Sequence, residues 1–128
     1  MKIFDINGEL VGIDIRPSRN PVKWKSKSNL QGKVGLYLSE KYPHDILLEE
    51  FTIPGSRSSV DFFMPKKKLV VEVQGKQHDE FVPHFHGNTL TSKKFIEQNH
   101  RDQKKIEWAA MNGFRLVEIR TEKDIDEL

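Results

Sequence analysis

Apolar-rich runs that carry single acidic residues alternate with polar stretches between Val60 and His78. Two apolar-rich runs, VDFFM and LVVEV, stand on either side of Pro65-Lys66-Lys67-Lys68, a polar stretch typical of a turn. Because side chains of a strand alternate between its faces, the second run places Val70, Glu72 and Gln74 on one face. The pattern predicts two adjacent strands joined by a short connection.

Asp61 in the first run and Glu72 in the second are the most informative residues of this region. Pairing of the two strands would bring their carboxylates together. Glu72 stands among valines, and burying a charge without a partner is costly. A divalent metal is one partner that makes neighbouring carboxylates tolerable. The alternative is that Asp61 is an edge-strand acid and Glu72 an exposed strand residue.

The first half of the chain predicts a ribbon, a helix and a further strand. Residues 2–6 and 9–15 flank Asn7-Gly8, a dipeptide that favours a tight hairpin turn. Ser28 or Asn29 is a candidate cap for a helix that ends near Lys41. Residues 46–53 form a predicted strand before Pro54-Gly55-Ser56. With the two strands that follow, this gives a three-stranded meander.

The last part of the chain predicts a long helix followed by a strand. The helix starts after Thr91 or Ser92, ends at Gly113, and precedes a strand over residues 114–119. Its predicted sheet-facing stripe consists of Phe95, Asn99, Asp102, Ile106, Ala109 and Ala110. The whole order predicts an α/β fold in which a mixed four-stranded sheet is flanked by helices and preceded by a hairpin.

The length of 128 residues fits one domain with a real core. We divide it into a hairpin (1–15), a basic arm (16–29), a core (30–119) and an acidic tail (120–128). The absence of cysteine excludes disulfides and zinc–thiolate sites. No apolar run is long enough to span a membrane, and the first residues lack the apolar centre of a secretory signal. We therefore expect a cytoplasmic protein that does not bind membranes.

The charge distribution is polarised although the net charge is only +2. No acidic residue occurs between Ile15 and Ser39, and Trp24 lies within this basic arm. The nucleic-acid-binding candidates are Arg16, Arg19, Lys23, Trp24, Lys25 and Lys27, with Lys66, Lys67 and Lys68 as an additional basic surface. Lysine and arginine contact phosphates, and the indole stacks on bases. The alternative is a solvated loop.

Histidines after Gly75 add a second kind of candidate chemistry. His78 titrates near neutrality and is a candidate to take a proton from water, against the alternative of a surface-loop histidine. His84 and His86, with His78 and Asp79, are a weaker candidate for a zinc site. A simple loop is favoured over the zinc site, and the histidines could equally contact phosphate.

Six short motifs follow one another within residues 26–119: Phe51-Thr52-Ile53-Pro54-Gly55, Asp61-Phe62, Glu72-Val73-Gln74-Gly75, Gln77-His78, Arg101-Asp102 and Gly113-Phe114-Arg115-Leu116. In this order the chain resembles the PD-(D/E)XK nuclease superfamily. Within that superfamily it is most similar to the branch of very-short-patch-repair-like endonucleases and phage homing enzymes. The resemblance implies a restriction-endonuclease-like core.

The resemblance also implies roles for individual residues. Asp61 would be the principal metal ligand, Glu72 or the carbonyl of Val73 would complete the shell, and His78 would transfer a proton or assist the metal. Gln74 replaces the usual lysine of the motif and would orient water or a phosphate oxygen. The acid expected on the first helix is Gln31, which leaves Glu49 or Glu50 as substitutes.

Two further choices concern acids around the site. Glu49 and Glu50 point to opposite faces of one strand, and we choose Glu50 as the member facing the metal. Asp102 is expected to orient His78 or a water. Its alternative is an ion pair with Lys104 or Lys105 on a solvated helix face.

The leading expectation is a Mg²⁺-dependent DNA endonuclease, with Mn²⁺ as a substitute cofactor, from a bacterial or phage-infected cell. The rival expectation is a non-catalytic nucleic-acid-binding or assembly protein on a nuclease-like fold, because Gln74 and Gln31 stand where charged groups are usual. RNA as the substrate stays open, since backbone contacts do not distinguish the sugar. The target type also stays open, as does the oligomeric state, a homodimer included.

Overall fold

The computed structural model describes residues 1–17, 21, 29–74 and 102–128. Several expectations concern residues outside these ranges: most of the basic arm, the histidines His78, His84 and His86, and the first part of the long helix. Within the described ranges, no helix has the length and apolar character that crossing a bilayer requires.

A four-stranded mixed sheet forms the centre of the fold. Strands β3 (Leu48–Thr52), β4 (Ser59–Met64) and β5 (Leu69–Val73) form an antiparallel meander. Strand β6 (Arg115–Ile119) pairs parallel with β5. A 3₁₀ turn at Pro65–Lys67 connects β4 to β5. The predicted meander and mixed sheet are confirmed.

A small ribbon precedes the sheet. Strands β1 (Lys2–Phe4) and β2 (Leu10–Gly12) pair antiparallel, and Gly8 in their connection has a φ of 88°, which glycine adopts without steric cost. Helix α1 spans Asn29–Lys41, as predicted. Helix α2 covers residues 102–111 in the described part of the chain and ends before Gly113.

The two faces of the sheet carry separate apolar clusters. On one face, Val34 and Leu38 of α1 pack on a fully buried set of strand residues that includes Phe62 and Val71. On the other face, Trp108 of α2 packs with the phenylalanines of the sheet, its ring centroid 6.3 Å from that of Phe63. We call these the α1 face and the α2 face.

The predicted sheet-facing stripe of the long helix is only partly correct in its described part, since Ala109 is buried as predicted but two other members are not. Ile106 is 41% exposed and Ala110 is also exposed, whereas Trp108 is fully buried and Lys105 is half-buried. The indole is drawn inward by contacts that lie far away in the sequence. Its Nε1 donates to the carbonyl of Phe4 at 2.9 Å, which ties the ribbon to α2.

The acidic C-terminal segment folds onto the α1 face. A 3₁₀ helix spans Glu122–Glu127, with Thr121 as its N-cap. Asp124 Oδ2 accepts the backbone N–H of Thr121 at 3.0 Å and that of Arg120 at 2.8 Å. Ile125 and Leu128 are buried in the cluster that α1 covers. The segment is therefore part of the core as well as acidic.

Replacing Ile125 with alanine tests this packing. We expect Ile125→Ala to lower the free energy of unfolding by about 2–3 kcal/mol, because it removes a buried aliphatic group. The matched control is Leu36→Ala, which truncates a side chain that is 47% exposed on α1, with an expected change of roughly 0.5 kcal/mol. Urea unfolding followed by circular dichroism measures both. Equal losses in the two variants would contradict the assigned packing.

Candidate active site

Strand register places Asp61 beside Glu72. Phe62 pairs with Val71 in the antiparallel ladder of β4 and β5, so the next position along this register sets Asp61 opposite Glu72. Opposed residues of an antiparallel pair project to the same face with Cβ atoms about 5 Å apart. The predicted convergence of the two acids is therefore present. We call Asp61 and Glu72 the carboxyl pair.

Each member of the carboxyl pair has a specific polar neighbour. Asp61 Oδ2 accepts the backbone N–H of Val73 at 2.7 Å, which fixes its side chain across the strand boundary. Glu72 Oε1 lies 3.1 Å from Nζ of Lys105 on α2. This oxygen is buried and has no other hydrogen-bond partner among the described residues. The contact is an ion pair with unused acceptor capacity.

Burial shifts the protonation of the carboxyl pair. Loss of water raises the pKa of Glu72 to about 8, the charge of Asp61 adds to the rise, and the Lys105 ammonium opposes it. The pKa of Asp61 is also raised, first by burial and further by the charge of Glu50, while the Val73 N–H opposes the rise. The two groups titrate together, so neighbouring negative charge disfavours ionising both.

Glu50 lies on the other side of Asp61. The pairs Glu49 with Phe62 and Phe51 with Val60 bracket Glu50, which places it opposite Asp61. Glu50 has a φ of 54°, a left-handed conformation that costs on the order of 1–3 kcal/mol outside glycine. Its charge acts on the pKa of Asp61. The strand register thus puts Glu50, the glutamate chosen from the sequence, next to the carboxyl pair.

The strained residue also changes the face on which β3 packs. Leu48 and Phe51 both join the cluster on the α2 face, although three residues apart they would point to opposite faces of a regular strand. The break falls at Glu49 and Glu50. Glu49 instead accepts a hydrogen bond at 2.7 Å from Nε2 of Gln31 on α1, and both side chains are buried. The two neighbouring glutamates therefore have different surroundings.

The remaining candidates are less fully described. Gln74 is buried, and its backbone N–H donates to Ile119 at 2.8 Å. Asp102 is half-buried at the start of the described part of α2. Of the nucleic-acid-binding candidates in the arm, the structure describes Arg16, whose Nη2 lies 2.6 Å from Asp14 Oδ2. His78 and the remaining arm candidates, Arg19, Lys23, Trp24, Lys25 and Lys27, lie outside the described ranges.

The donor set fits a hard divalent cation in chemistry. Carboxylate and carbonyl oxygens are the ligands that Mg²⁺ and Mn²⁺ prefer. The carboxyl pair supplies two such groups, and the buried Glu72 Oε1 lacks a hydrogen bond within the described part of the chain. In the same part, no three acidic or histidine side chains lie close enough to form a complete metal site by themselves. Further ligands would be backbone carbonyls, water or substrate oxygens.

Lys105 is the site residue that sequence reasoning missed. It was considered only as a partner for Asp102 on a solvated helix face, whereas its side chain is 15% exposed beside Glu72. The spacing of Lys105 and Trp108, three residues apart, was the available signal, because it puts both on one helix face. A buried helix face centred on Trp108 includes Lys105, whereas a face centred on Ile106 does not.

Comparison with known proteins finds similarity to a viral protein. No protein-family model matches the chain, and no solved structure matches it. The chain is similar to "Uncharacterized protein 307L" of Invertebrate iridescent virus 6, with 42% identity over 67 residues. The similarity covers 52% of this chain and 32% of the viral protein, so the chain matches about a third of that relative's length.

The raised pKa of Glu72 predicts a pH-dependent stability. Across the range from its ordinary value of 4.5 to about 8, the folded protein retains a proton that the unfolded chain releases. The stabilisation is therefore complete below the lower value and is lost as the pH rises through the upper one. We expect the free energy of unfolding in EDTA to fall by on the order of a few kcal/mol between these limits.

Glu72→Gln checks the origin of this slope. Glutamine has no titratable proton at this position, so the free energy of unfolding of the variant should change less over the same pH range. Glu107→Gln matches the change in net charge at an exposed position of α2 and should keep the wild-type slope. Urea unfolding at a series of pH values measures all three proteins. A wild-type slope in Glu72→Gln would show that another group dominates.

Proposed function

We propose that the protein is a metal-dependent DNA endonuclease that hydrolyses phosphodiester bonds, built on a restriction-endonuclease-like core. The order of elements supports this core: α1, an antiparallel meander, α2, and a strand β6 parallel to β5. The same order accompanies the motifs in the family that the sequence resembles. Fold alone does not set function, so the proposal rests on the site.

The observation that carries the proposal is the carboxyl pair. Two acids from neighbouring strands lie together in a largely buried position, and burial raises the pKa of both. Such a pair is unfavourable for folding unless it has a use or a partner. A divalent cation supplies the missing charge, and phosphodiester hydrolysis is a reaction that needs this kind of site.

Asp61 and Glu72 would hold the metal, with the carbonyl of Val73 as a further oxygen and Glu50 next to Asp61. When bound, Mg²⁺ or Mn²⁺ would activate water and neutralise charge on the phosphate. The backbone N–H of Val73 keeps the Asp61 carboxylate in place. Gln74 and His78 would orient or deprotonate the attacking water, and Asp102 would orient that histidine or a water. The water oxygen forms the new bond to phosphorus while the ester bond breaks and its oxygen takes a proton.

DNA is the proposed substrate because the chain combines this centre with a basic arm that contains Trp24. Lysine and arginine would contact the backbone, and the indole would stack on or wedge between bases. Arg16 contributes less than a free arginine, since Asp14 neutralises part of its charge. A homodimer would be required for simultaneous cleavage of both strands, whereas a monomer would nick.

The second candidate is a nucleic-acid-binding protein without catalytic activity. One observation favours it: Gln31 of α1, at the position of an expected acid, donates a hydrogen bond to Glu49 of β3. Together with Gln74 in place of a lysine, this leaves fewer charged groups than the family pattern implies. Binding of DNA without cleavage in Mg²⁺ or Mn²⁺ would support this candidate.

Asp61→Asn tests the proposed function. We expect Mg²⁺-dependent nicking of supercoiled plasmid to fall to the metal-free background, because the amide is a weaker ligand without charge. The amide keeps an oxygen that can accept the Val73 N–H, so folding should be retained. Gel analysis of nicked plasmid measures activity, and a mobility-shift assay measures binding, which should be unchanged.

Asp126→Asn is the matched control, because it removes the same charge at a position away from the carboxyl pair. This aspartate is exposed in the C-terminal 3₁₀ helix, and its variant should nick as the wild type does. Cleavage by purified Asp61→Asn at the wild-type rate would refute the assignment of the centre. Absence of nicking by the wild-type protein, with DNA binding intact, would refute the enzyme and favour the second candidate.

A further inference from the structure

We propose that Lys105 is the cationic group that contacts the phosphate at the carboxyl pair. This inference rests on the proposed function and identifies a catalytic residue for it. Its basis is the position of the ammonium, which α2 brings to the pair from above the same face of the sheet.

The ammonium is held close to the acids by the fold. Lys105 Nζ lies 3.1 Å from Glu72 Oε1, and the two side chains are only 15% and 12% exposed. Trp108, three residues along α2, is fully buried on the same helix face. Because the indole fixes the rotation of the helix, the lysine stem is directed to the sheet and away from solvent.

Its contact with Glu72 leaves the ammonium able to bind another anion. An ammonium carries three donors, and the contact with Glu72 Oε1 occupies at most one of them. A phosphate oxygen beside the carboxyl pair is therefore within the field of a lysine that is already desolvated. Electrostatic groups in such partly dry positions stabilise developing charge more than they do in water.

Charge balance at the centre gives the same assignment. Asp61, Glu72 and Glu50 are acidic, and the Lys105 charge lowers the pKa of both members of the carboxyl pair. A dianionic pair beside an anionic phosphate would be repulsive without added positive charge. A metal held by the acids would supply part of this positive charge, and Lys105 supplies a further cation that is part of the chain.

Lys105→Met tests the proposal, with Lys104→Met as its matched control. The methionine keeps an unbranched stem of similar volume, and Lys104 is an exposed lysine one position earlier on the helix. We expect Lys105→Met to reduce the rate of plasmid nicking in Mn²⁺ by roughly 10²–10³-fold, the usual effect of removing one preorganised donor. The loss should fall on kcat more than on KM. Lys104→Met should retain the wild-type rate.

Mn²⁺ affinity without DNA, measured by isothermal titration calorimetry, separates this role from a structural one. Removing an ammonium from beside Glu72 should leave Mn²⁺ affinity unchanged or increase it. Lys105→Arg, which keeps the charge, should recover part of the nicking rate. Thermal unfolding of each variant confirms that the protein remains folded.

Three outcomes would overturn the proposal. Wild-type nicking by Lys105→Met would show that no phosphate contact depends on this lysine. Parallel loss of nicking and Mn²⁺ affinity would show that Lys105 only holds the carboxylates in place. If the wild-type protein binds Mn²⁺ and DNA but does not nick, the nuclease function itself fails, and the catalytic role of Lys105 fails with it.

Discussion

The close approach of Asp61 and Glu72 is the constraint on which the site depends. Antiparallel pairing of β4 and β5 sets the two acids opposite each other, and burial between the sheet and α2 raises the pKa of both. A proton on Glu72 relieves the pair, because the Glu72 carboxyl group then hydrogen-bonds to the Asp61 carboxylate. Ionising both acids instead needs a cationic group, and Lys105 is the one that the described residues bring to Glu72.

Much of this architecture follows from local sequence. Asn7-Gly8 determines the first ribbon, and the polar stretch at residues 65–68 turns β4 back along β5. A connection of that length also fixes which residues of the two strands oppose each other. That is why the convergence of Asp61 and Glu72 could be predicted from their spacing alone, before any tertiary contact was considered.

The orientation of α2 could not be predicted in the same way. Its sequence offers two apolar stripes, one through Ile106 and one through Trp108, and periodicity alone does not choose between them. The choice is made by a distant contact: the Trp108 indole donates to Phe4 in the ribbon. A reading that puts charges on the solvent side then assigns Lys105 outward, whereas the fold turns it to the sheet.

Glu50 shows a second limit of local reasoning. Strict alternation correctly separates Glu49 from Glu50, but it does not anticipate the left-handed backbone of Glu50. This conformation lets Phe51 return to the apolar cluster that Leu48 already occupies, while Glu49 bonds to Gln31 on the other face. The gain from burying an aromatic ring is about 1.5–3 kcal/mol, comparable to the strain. The acid next to Asp61 is thus placed by core packing, so the core and the candidate active site are one structural problem.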